Sequence, residues 1–241
     1  MLVAIGFLTA WPVRTPTPRP GDLGRAARWF PVIGLALGGL LAGAHLALAA
    51  LFPPLLTAAL TVTLWAALTG GLHLDGLADC GDGLLAAATP ERRLEIMRDP
   101  RLGAFGGLTL ALFLIAKVAA VSALEAGAWL PLALAASSAR WLILLMARQP
   151  LARPGGMAAE FALGLTPATV GLAALVPAAF ALYGLLAEPR VLIALTLAHA
   201  VAWLIARLAR ARLGGVTGDV FGLTVELSEL AVLLAFAASR P

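Results

Sequence analysis

The chain has 241 residues, of which 61% are hydrophobic and 12% are charged, and its formal net charge is +4. About a quarter of the residues of a soluble domain are charged, so this composition excludes an ordinary aqueous globular domain and indicates a bilayer protein. One cysteine excludes a disulfide framework, and no grouping of cysteine and histidine indicates a zinc site.

Apolar runs follow one another along the chain. Residues 1–13 are apolar but lack a basic start, and Pro12 and Arg14 end the run, which predicts a short interfacial helix rather than a signal peptide. Later runs approach the twenty or so residues that cross a bilayer core; they are 30–52, 55–72, 104–124, 128–147, 164–187, 190–206 and 220–238. The sequence therefore predicts an all-α polytopic membrane protein, a bundle of about seven transmembrane helices in one integral membrane domain over residues 1–241.

The connections between these runs alternate between tight turns and longer charged segments. Tight turns are predicted at 52–54, 125–127 and 188–190. Thirteen of the 17 Lys and Arg residues fall in the longer segments, which are 14–29, 73–103, 148–163 and 207–219. The positive-inside rule places these longer segments in the cytoplasm. Since topology and anionic lipid explain the excess positive charge, we expect no nucleic-acid binding.

Three aspartates lie in the segment 73–103. Asp75, Asp79 and Asp82 follow an i, i+4, i+7 spacing, which places them on one face of a helix. Like charges repel unless a cation lies among them, and hard oxygen donors favour Mg²⁺ or Mn²⁺ over zinc. The spacing predicts a divalent-metal site of the kind that serves phosphate chemistry. The alternative for one or two of these acids is a helix cap or turn; His73 either binds phosphate or a metal-bound water, or is merely interfacial.

A basic helix is predicted after Thr89-Pro90, a typical helix start. Arg98 and Arg101 could bind a diphosphate, because guanidinium groups bind phosphate oxygens in pairs. The alternative is an ordinary charged interfacial helix in which Glu95 pairs with a neighbouring arginine.

A glycine-rich turn precedes the last apolar run and presents free backbone N–H groups to an anion. Asp219 is a candidate fourth metal ligand, or the base that accepts a hydroxyl proton. Glu226 lies seven residues further on and shares its helical face. Ionisable groups inside a span indicate function by default, but a structural pairing of Glu226 with Lys117 or Arg140 is equally compatible with the sequence.

Three groups of residues together resemble the motifs of the cobalamin synthase family, also called adenosylcobinamide-GDP ribazoletransferase. They are His73-Leu74-Asp75-Gly76-Leu77-Ala78-Asp79 with Asp82-Gly83, Glu95-Ile96-Met97-Arg98-Asp99 with Arg101-Leu102-Gly103, and Gly218-Asp219 with Glu226-Leu227. The resemblance implies a multi-pass enzyme of the bacterial inner membrane, with its active site facing the cytoplasm. It also implies the reaction: joining adenosylcobinamide-GDP to α-ribazole or its 5′-phosphate, with release of GMP and a requirement for Mg²⁺.

On this resemblance, catalytic roles are expected for Asp75, Asp79, Asp82 and Asp219, the first three as metal ligands. The expected substrate-binding residues are His73, Glu95, Arg98, Asp99, Arg101, Thr217, Gly218 and Glu226. The expected partners are the corrinoid nucleotide, α-ribazole and membrane lipid. Other enzymes of cobalamin synthesis and a second copy of the chain stay open as partners.

Two other functions compete with this one. A CDP-alcohol phosphotransferase also uses a membrane aspartate cluster, but its motif demands Ala-Arg three residues after Asp-Gly, and Asp75-Gly76 is followed by Leu77-Ala78-Asp79. A secondary transporter would use the intramembrane ionisable residues as a relay. Against the transporter, the sequence has no paired interrupted helices in its two halves.

Overall fold

The computed structural model describes residues 1–14, 19–124 and 128–238. Within these ranges the chain is helical, and its only β-type pairing is an isolated bridge between Leu151 and Val216. Seven of the helices in these ranges are α3 (Phe30–Ala49), α4 (Pro54–Leu68), α7 (Ala104–Ser122), α8 (Trp129–Met146), α11 (Leu175–Leu186), α12 (Arg190–Leu213) and α13 (Gly218–Ala237). The others are α1 (Leu2–Leu8), α2 (Asp22–Ala26), α5 (Leu72–Leu85), α6 (Pro90–Ile96), α9 (Gly156–Gly164) and α10 (Pro167–Ala173). The predicted turn at 125–127 lies outside the described residues.

Six helical segments among the described residues are long and apolar enough to cross a membrane. They are Asp22–Ala49, Ala104–Ser122, Trp129–Met146, Pro167–Leu186, Arg190–Leu213 and Gly218–Ala237. Helices α4 and α5 together form a seventh candidate, but they meet at an angle of 94°. The prediction of an all-α protein with about seven transmembrane helices is confirmed, as is a short helix at the N-terminus.

The boundary between α4 and α5 differs from the predicted span 55–72. Helix α4 ends at Leu68, and the chain turns through Gly70 and Gly71, whose φ angles of 62° and 69° lie in the left-handed region that glycine tolerates. Residues 73–103, predicted as a charged connection, then form most of α5 and all of α6. The acid-bearing segment is therefore a helix packed into the bundle, where α7 and α13 contact it.

One other predicted boundary is wrong. Helix α12 continues past the predicted end at 206 to Leu213, because Ala209 and Leu213 keep one face of the helix buried while arginines occupy the other. The predicted span 164–187 is confirmed as the candidate span Pro167–Leu186, which contains both α10 and α11. Pro177 has no N–H to donate to the carbonyl of Ala173, so the helical hydrogen bonding is interrupted there.

Helices α8 and α13 form the centre of the bundle. They are the most buried of the six candidate spans, and α13 packs against α5, α8 and α12. A central helix contacts other helices on most of its surface, whereas the peripheral α7 and α11 expose apolar side chains such as Ile115 and Leu185. This arrangement places the first turn of α13 beside α5.

Candidate active site

The three aspartates of α5 lie along one side of the helix, as their spacing predicts. Asp75 is exposed, and Asp79 and Asp82 are half-buried. The opposite side of α5 is buried and carries residues such as Leu77 and Cys80, which belong to the apolar core. The carboxylates therefore occupy the accessible edge of an otherwise packed helix.

Asp219 comes close to these aspartates because α5 and α13 are in backbone contact. A Cβ atom on Gly76 would lie 2.8 Å from the carbonyl oxygen of Asp219, and one on Gly222 would lie 2.9 Å from that of His73. Two helices approach this closely only where a side chain is missing. Asp79 consequently lies within electrostatic range of Asp75, Asp82 and Asp219. These four aspartates are called the acid cluster below.

Few cations neutralise the acid cluster. Among the described residues, Arg153 is the only Lys or Arg with a side-chain nitrogen within 4.0 Å of these carboxylates; its Nη2 is 4.0 Å from Asp219 Oδ2. Arg98 also acts electrostatically on Asp219. Carboxylates that share a site without enough positive charge repel one another, so the cluster favours binding of a cation.

A cavity of about 70 Å³ lies between α1, α5 and α13. Asp75, Asp219 and His73 line it together with Phe7 of the N-terminal helix and Met157 of α9. The acid cluster thus borders a small pocket with an apolar part.

Asp82 has a second function in the fold. Its Oδ2 accepts a hydrogen bond of 2.8 Å from the backbone N–H of Gly103, and its Oδ1 accepts one of 2.8 Å from Gly106. These two donors lie at the start of α7, where backbone N–H groups have no partner within the helix. Asp82 therefore caps α7, which is the alternative that the sequence left open for some of these acids.

The acid cluster suits magnesium in donor type and charge. Carboxylate oxygens are the ligands that Mg²⁺ prefers in proteins. Within the described ranges, however, no three His, Cys, Asp or Glu side chains converge as the ligands of one ion would. A site built from Asp75, Asp79 and Asp82 requires side-chain rotations, above all of Asp82, so the magnesium site stays a prediction.

His73 is buried in the bundle and borders the same cavity as Asp75 and Asp219. Its side chain is 3% exposed, and neither ring nitrogen has a hydrogen-bond partner among the described residues. Arg140 and Lys117 lie within electrostatic range of the ring. A buried imidazole without partners is costly, which is consistent with the predicted substrate-binding role of His73 but does not test it.

The predicted basic segment divides into paired and unpaired arginines. Arg101 binds Asp99 through Nη2 and Nε at 2.6 and 2.9 Å. Its side-chain and backbone hydrogen bonds lower the pKa of Asp99 to about 2. Glu95 pairs with Arg92 at 2.8 Å, as the alternative predicted. Arg98 is exposed and has no ion-pair partner within 4.0 Å among the described residues.

Glu226 lies inside the bundle, in a network with three other charged side chains. Its Oε2 accepts a 2.7 Å hydrogen bond from Lys117 Nζ, which also donates to Glu229 Oε2 at 2.6 Å. Arg140 binds the other oxygen of Glu229. All four side chains are at most 5% exposed. The structural pairing of Glu226 with Lys117 is therefore confirmed, and a direct contact between Glu226 and a substrate stays a prediction. The four residues are called the buried ion network below.

Thr217 and Gly218 position Asp219 at the start of α13. The Thr217 hydroxyl accepts a hydrogen bond from Val220 N–H and so caps the helix. The same hydroxyl donates to Asp219 Oδ2 at 3.1 Å. Gly218 is the first residue of the helix. The geometry gives Thr217 and Gly218 a positioning role and leaves their predicted substrate contacts untested.

The sequence profile of a family described as cobalamin-5-phosphate synthase matches residues 1–237. The chain belongs to this family. A relative in Pseudomonas aeruginosa strain PAO1, called adenosylcobinamide-GDP ribazoletransferase, is 45% identical, with 98% of this chain and 97% of the relative covered.

More distant members of the cobalamin-5-phosphate synthase family carry the same name. The protein of Pseudomonas syringae pv. syringae strain B728a is 41% identical, covering 98% of this chain and 97% of its own. That of Roseiflexus sp. strain RS-1 is 37% identical, covering 99% and 89%. No solved structure matches the chain. The resemblance seen in the motifs is confirmed, and with it the assignment of the chain as an enzyme.

Two arginines with defined positions were not among the predicted site residues. Arg153 lies beside Asp219. Arg93 is 5% exposed and donates to the carbonyl oxygens of Gly83, Leu84 and Ala88, so it binds the C-terminal end of α5. Neither arginine has a spacing signal in the sequence, because each depends on contacts between separate segments.

Proposed function

We propose that this chain joins adenosylcobinamide-GDP to α-ribazole, or to α-ribazole 5′-phosphate, and releases GMP in a magnesium-dependent reaction. The observation that carries this proposal is the acid cluster, in which carboxylates from α5 and α13 share one site with too little positive charge. The names of the relatives support the choice of substrates.

The reaction transfers the cobinamide phosphoryl group from a diphosphate to a ribose hydroxyl. A ribose hydroxyl of the ribazole attacks the phosphorus bound to the cobinamide, a new P–O bond forms, and the P–O bond to GMP breaks. Such transfers depend on positioning and on charge neutralisation more than on covalent catalysis. Magnesium, when bound, would neutralise the charge of the diphosphate.

The residues of the acid cluster divide these tasks. Asp75 and Asp79 would hold the metal ion, together with Asp82 if its side chain rotates away from α7. Asp219, fixed by Thr217, would complete the metal shell or accept the proton of the attacking hydroxyl. Arg98, which is exposed and has no ion-pair partner within the described ranges, would bind the phosphate of the departing GMP. Arg101 serves that role less well, because Asp99 already binds its guanidinium.

The same proposal includes an orientation in the membrane. The positively charged segments flank the acid cluster, so we place that side in the cytoplasm, at the inner membrane of a bacterium. Lipid surrounds the exposed apolar faces of α7 and α11. The soluble nucleotide then reaches the site from the cytoplasm.

Purified protein in detergent tests the proposal. With adenosylcobinamide-GDP, α-ribazole and Mg²⁺ we expect stoichiometric formation of GMP and the joined corrinoid, and we expect a chelator to stop it. Product formed at full rate after removal of all divalent cations would disprove the magnesium requirement. Absence of GMP under all conditions would disprove the transferase and favour a carrier.

A further inference from the structure

We propose that Arg153 binds the diphosphate of the nucleotide substrate, an inference that rests on the proposed function. No motif of the sequence indicates this residue. The case depends on where its loop is held, on which of its donors are unused, and on the charge of the surrounding groups.

The loop of Arg153 is fixed against the start of α13. Ala152 N–H donates to Val216 O at 3.0 Å, and Val216 N–H donates to Pro150 O at 2.8 Å, which forms the bridge between residues 151 and 216. A Cβ atom on Gly215 would lie 2.4 Å from Pro150 O, so the two loops are in direct backbone contact. These main-chain hydrogen bonds fix the loop that carries Arg153 against the loop that leads into Asp219.

The guanidinium of Arg153 has donors without partners. Its Nη1 is buried and makes no hydrogen bond among the described residues. Its Nη2 lies 4.0 Å from Asp219 Oδ2, which is beyond hydrogen-bond distance. A buried donor without an acceptor costs free energy. The arrangement becomes favourable when the guanidinium turns towards the acid cluster and an anion supplies acceptors to both nitrogens.

A phosphate group matches these unused donors. The planar guanidinium presents two parallel N–H groups, which fit two oxygens of one phosphate. Nearby carboxylates repel a diphosphate, so a fixed cation at the same edge lowers the cost of bringing the substrate in. Arg101 lacks such unused donors, because Asp99 already binds its guanidinium. Arg98 is exposed, so its side chain is less fixed than that of Arg153.

Equilibrium binding tests this inference without turnover. The corrin ring absorbs visible light, so binding of adenosylcobinamide-GDP to purified protein can be measured by equilibrium dialysis with Mg²⁺ present and ribazole absent. Loss of hydrogen bonds to a charged group predicts that R153A raises the dissociation constant roughly tenfold to a hundredfold. R153K should retain part of the affinity, because it keeps the charge but loses the paired geometry. The matched control is R148A, an exposed arginine at the start of the same loop, which should bind like the wild type.

A double variant separates phosphate binding from simple neutralisation of Asp219. If Arg153 only balances that carboxylate, R153A should have no effect in a D219N background. If it binds phosphate, the same loss of affinity should persist in the D219N background. In the single variant R153A, KM for adenosylcobinamide-GDP should then rise while KM for α-ribazole stays constant. Unchanged affinity in a folded R153A protein, judged by an unchanged melting temperature, would overturn the inference alone. Failure of the wild type both to bind the nucleotide and to release GMP would instead overturn the proposed function and this inference with it.

Discussion

The acid cluster and the buried ion network each contain four charged side chains, but they differ in how the charges are balanced. In the buried ion network, two carboxylates meet one ammonium and one guanidinium within hydrogen-bond distance. In the acid cluster, four carboxylates have one arginine at 4.0 Å, among the residues the structure describes. Charges that are neutralised inside the bundle are typical of structure, whereas an excess of one sign at an accessible edge is typical of a site that awaits a ligand.

Depth in the bundle explains this difference. Lys117, Arg140, Glu226 and Glu229 are shielded from water, so an unpaired charge there would cost several kcal/mol. Lys117 also lies 4.2 Å from the ring centre of Trp65, which adds a cation–π contact. Asp75 and Asp79 keep partial contact with solvent, so their surplus charge is tolerated until a cation binds.

The largest expected effect is the loss of activity when the acid cluster loses a charge. D79N should lower the rate of GMP formation by about a thousandfold or more, because a metal ion supplies several kcal/mol of transition-state stabilisation. Its melting temperature should be that of the wild type or higher, since a repulsion is removed. The rate of GMP formation and the melting temperature, measured on the same preparation of D79N, check these two expectations. Near-normal turnover would show that Asp79 holds no essential cation.

The buried ion network should respond in the opposite way. E229A leaves Arg140 and Lys117 with a single carboxylate between them, and breaking a buried pair costs about 3–5 kcal/mol. We expect a large drop in the free energy of unfolding in detergent. The remaining folded protein should still be active, because the pair of Lys117 and Glu226 still holds α13 in place. The matched control is E95Q, which removes an exposed pair with Arg92 and should change that free energy by no more than about 1 kcal/mol. An E229A protein as stable as E95Q would remove the distinction between the two regions.

Asp82 belongs to the acid cluster and also stabilises the fold as the cap of α7, so its variants can separate these two roles. Loss of a helix cap costs about 1 kcal/mol, and D82A should lower the stability by that amount because Gly103 and Gly106 lose their acceptor. D82N keeps an acceptor oxygen and should recover part of the stability. If activity per folded molecule is equal in D82N and the wild type, Asp82 is a cap and not a metal ligand.

The smallest expected effect separates two neighbouring arginines. R98A should raise KM for adenosylcobinamide-GDP more than R101A does, because Arg101 is already bound by Asp99.

The folded-state pKa of Asp99 is about 2 and therefore below its value in an unfolded chain. The pairing is thus complete above the unfolded pKa of about 4 and is lost only as the pH falls towards about 2. An NMR titration of Asp99 with a midpoint near 4 would contradict this pairing.

The sequence predicts the site residues that share a helix better than those that meet across segments. Asp75, Asp79 and Asp82 followed from helical spacing, and Asp219 followed from the glycine-rich turn before it. The capping role of Asp82 depends on α7 beginning beside α5, which no local pattern shows. Arg153 and Arg93 needed the tertiary structure for the same reason.

The fold shows the same division. Long apolar runs located six of the helices, because hydrophobicity is a local property. The sharp turn after α4 depends on two glycines and on the packing of α5 between α7 and α13, so the predicted span 55–72 continued too far. The course of α12 beyond 206 was missed because arginines lower its average hydrophobicity while one face stays buried.

Helix α13 links the two regions mechanically. It carries Asp219 in its first turn and Glu226 seven residues later, about 10 Å along the axis. Ionic contacts from α7 and α8 therefore hold this helix at mid-length, while its first turn borders the small cavity beside the acid cluster. The position of the Asp219 carboxylate at the edge of the bundle is thus tied to ion pairs in its interior.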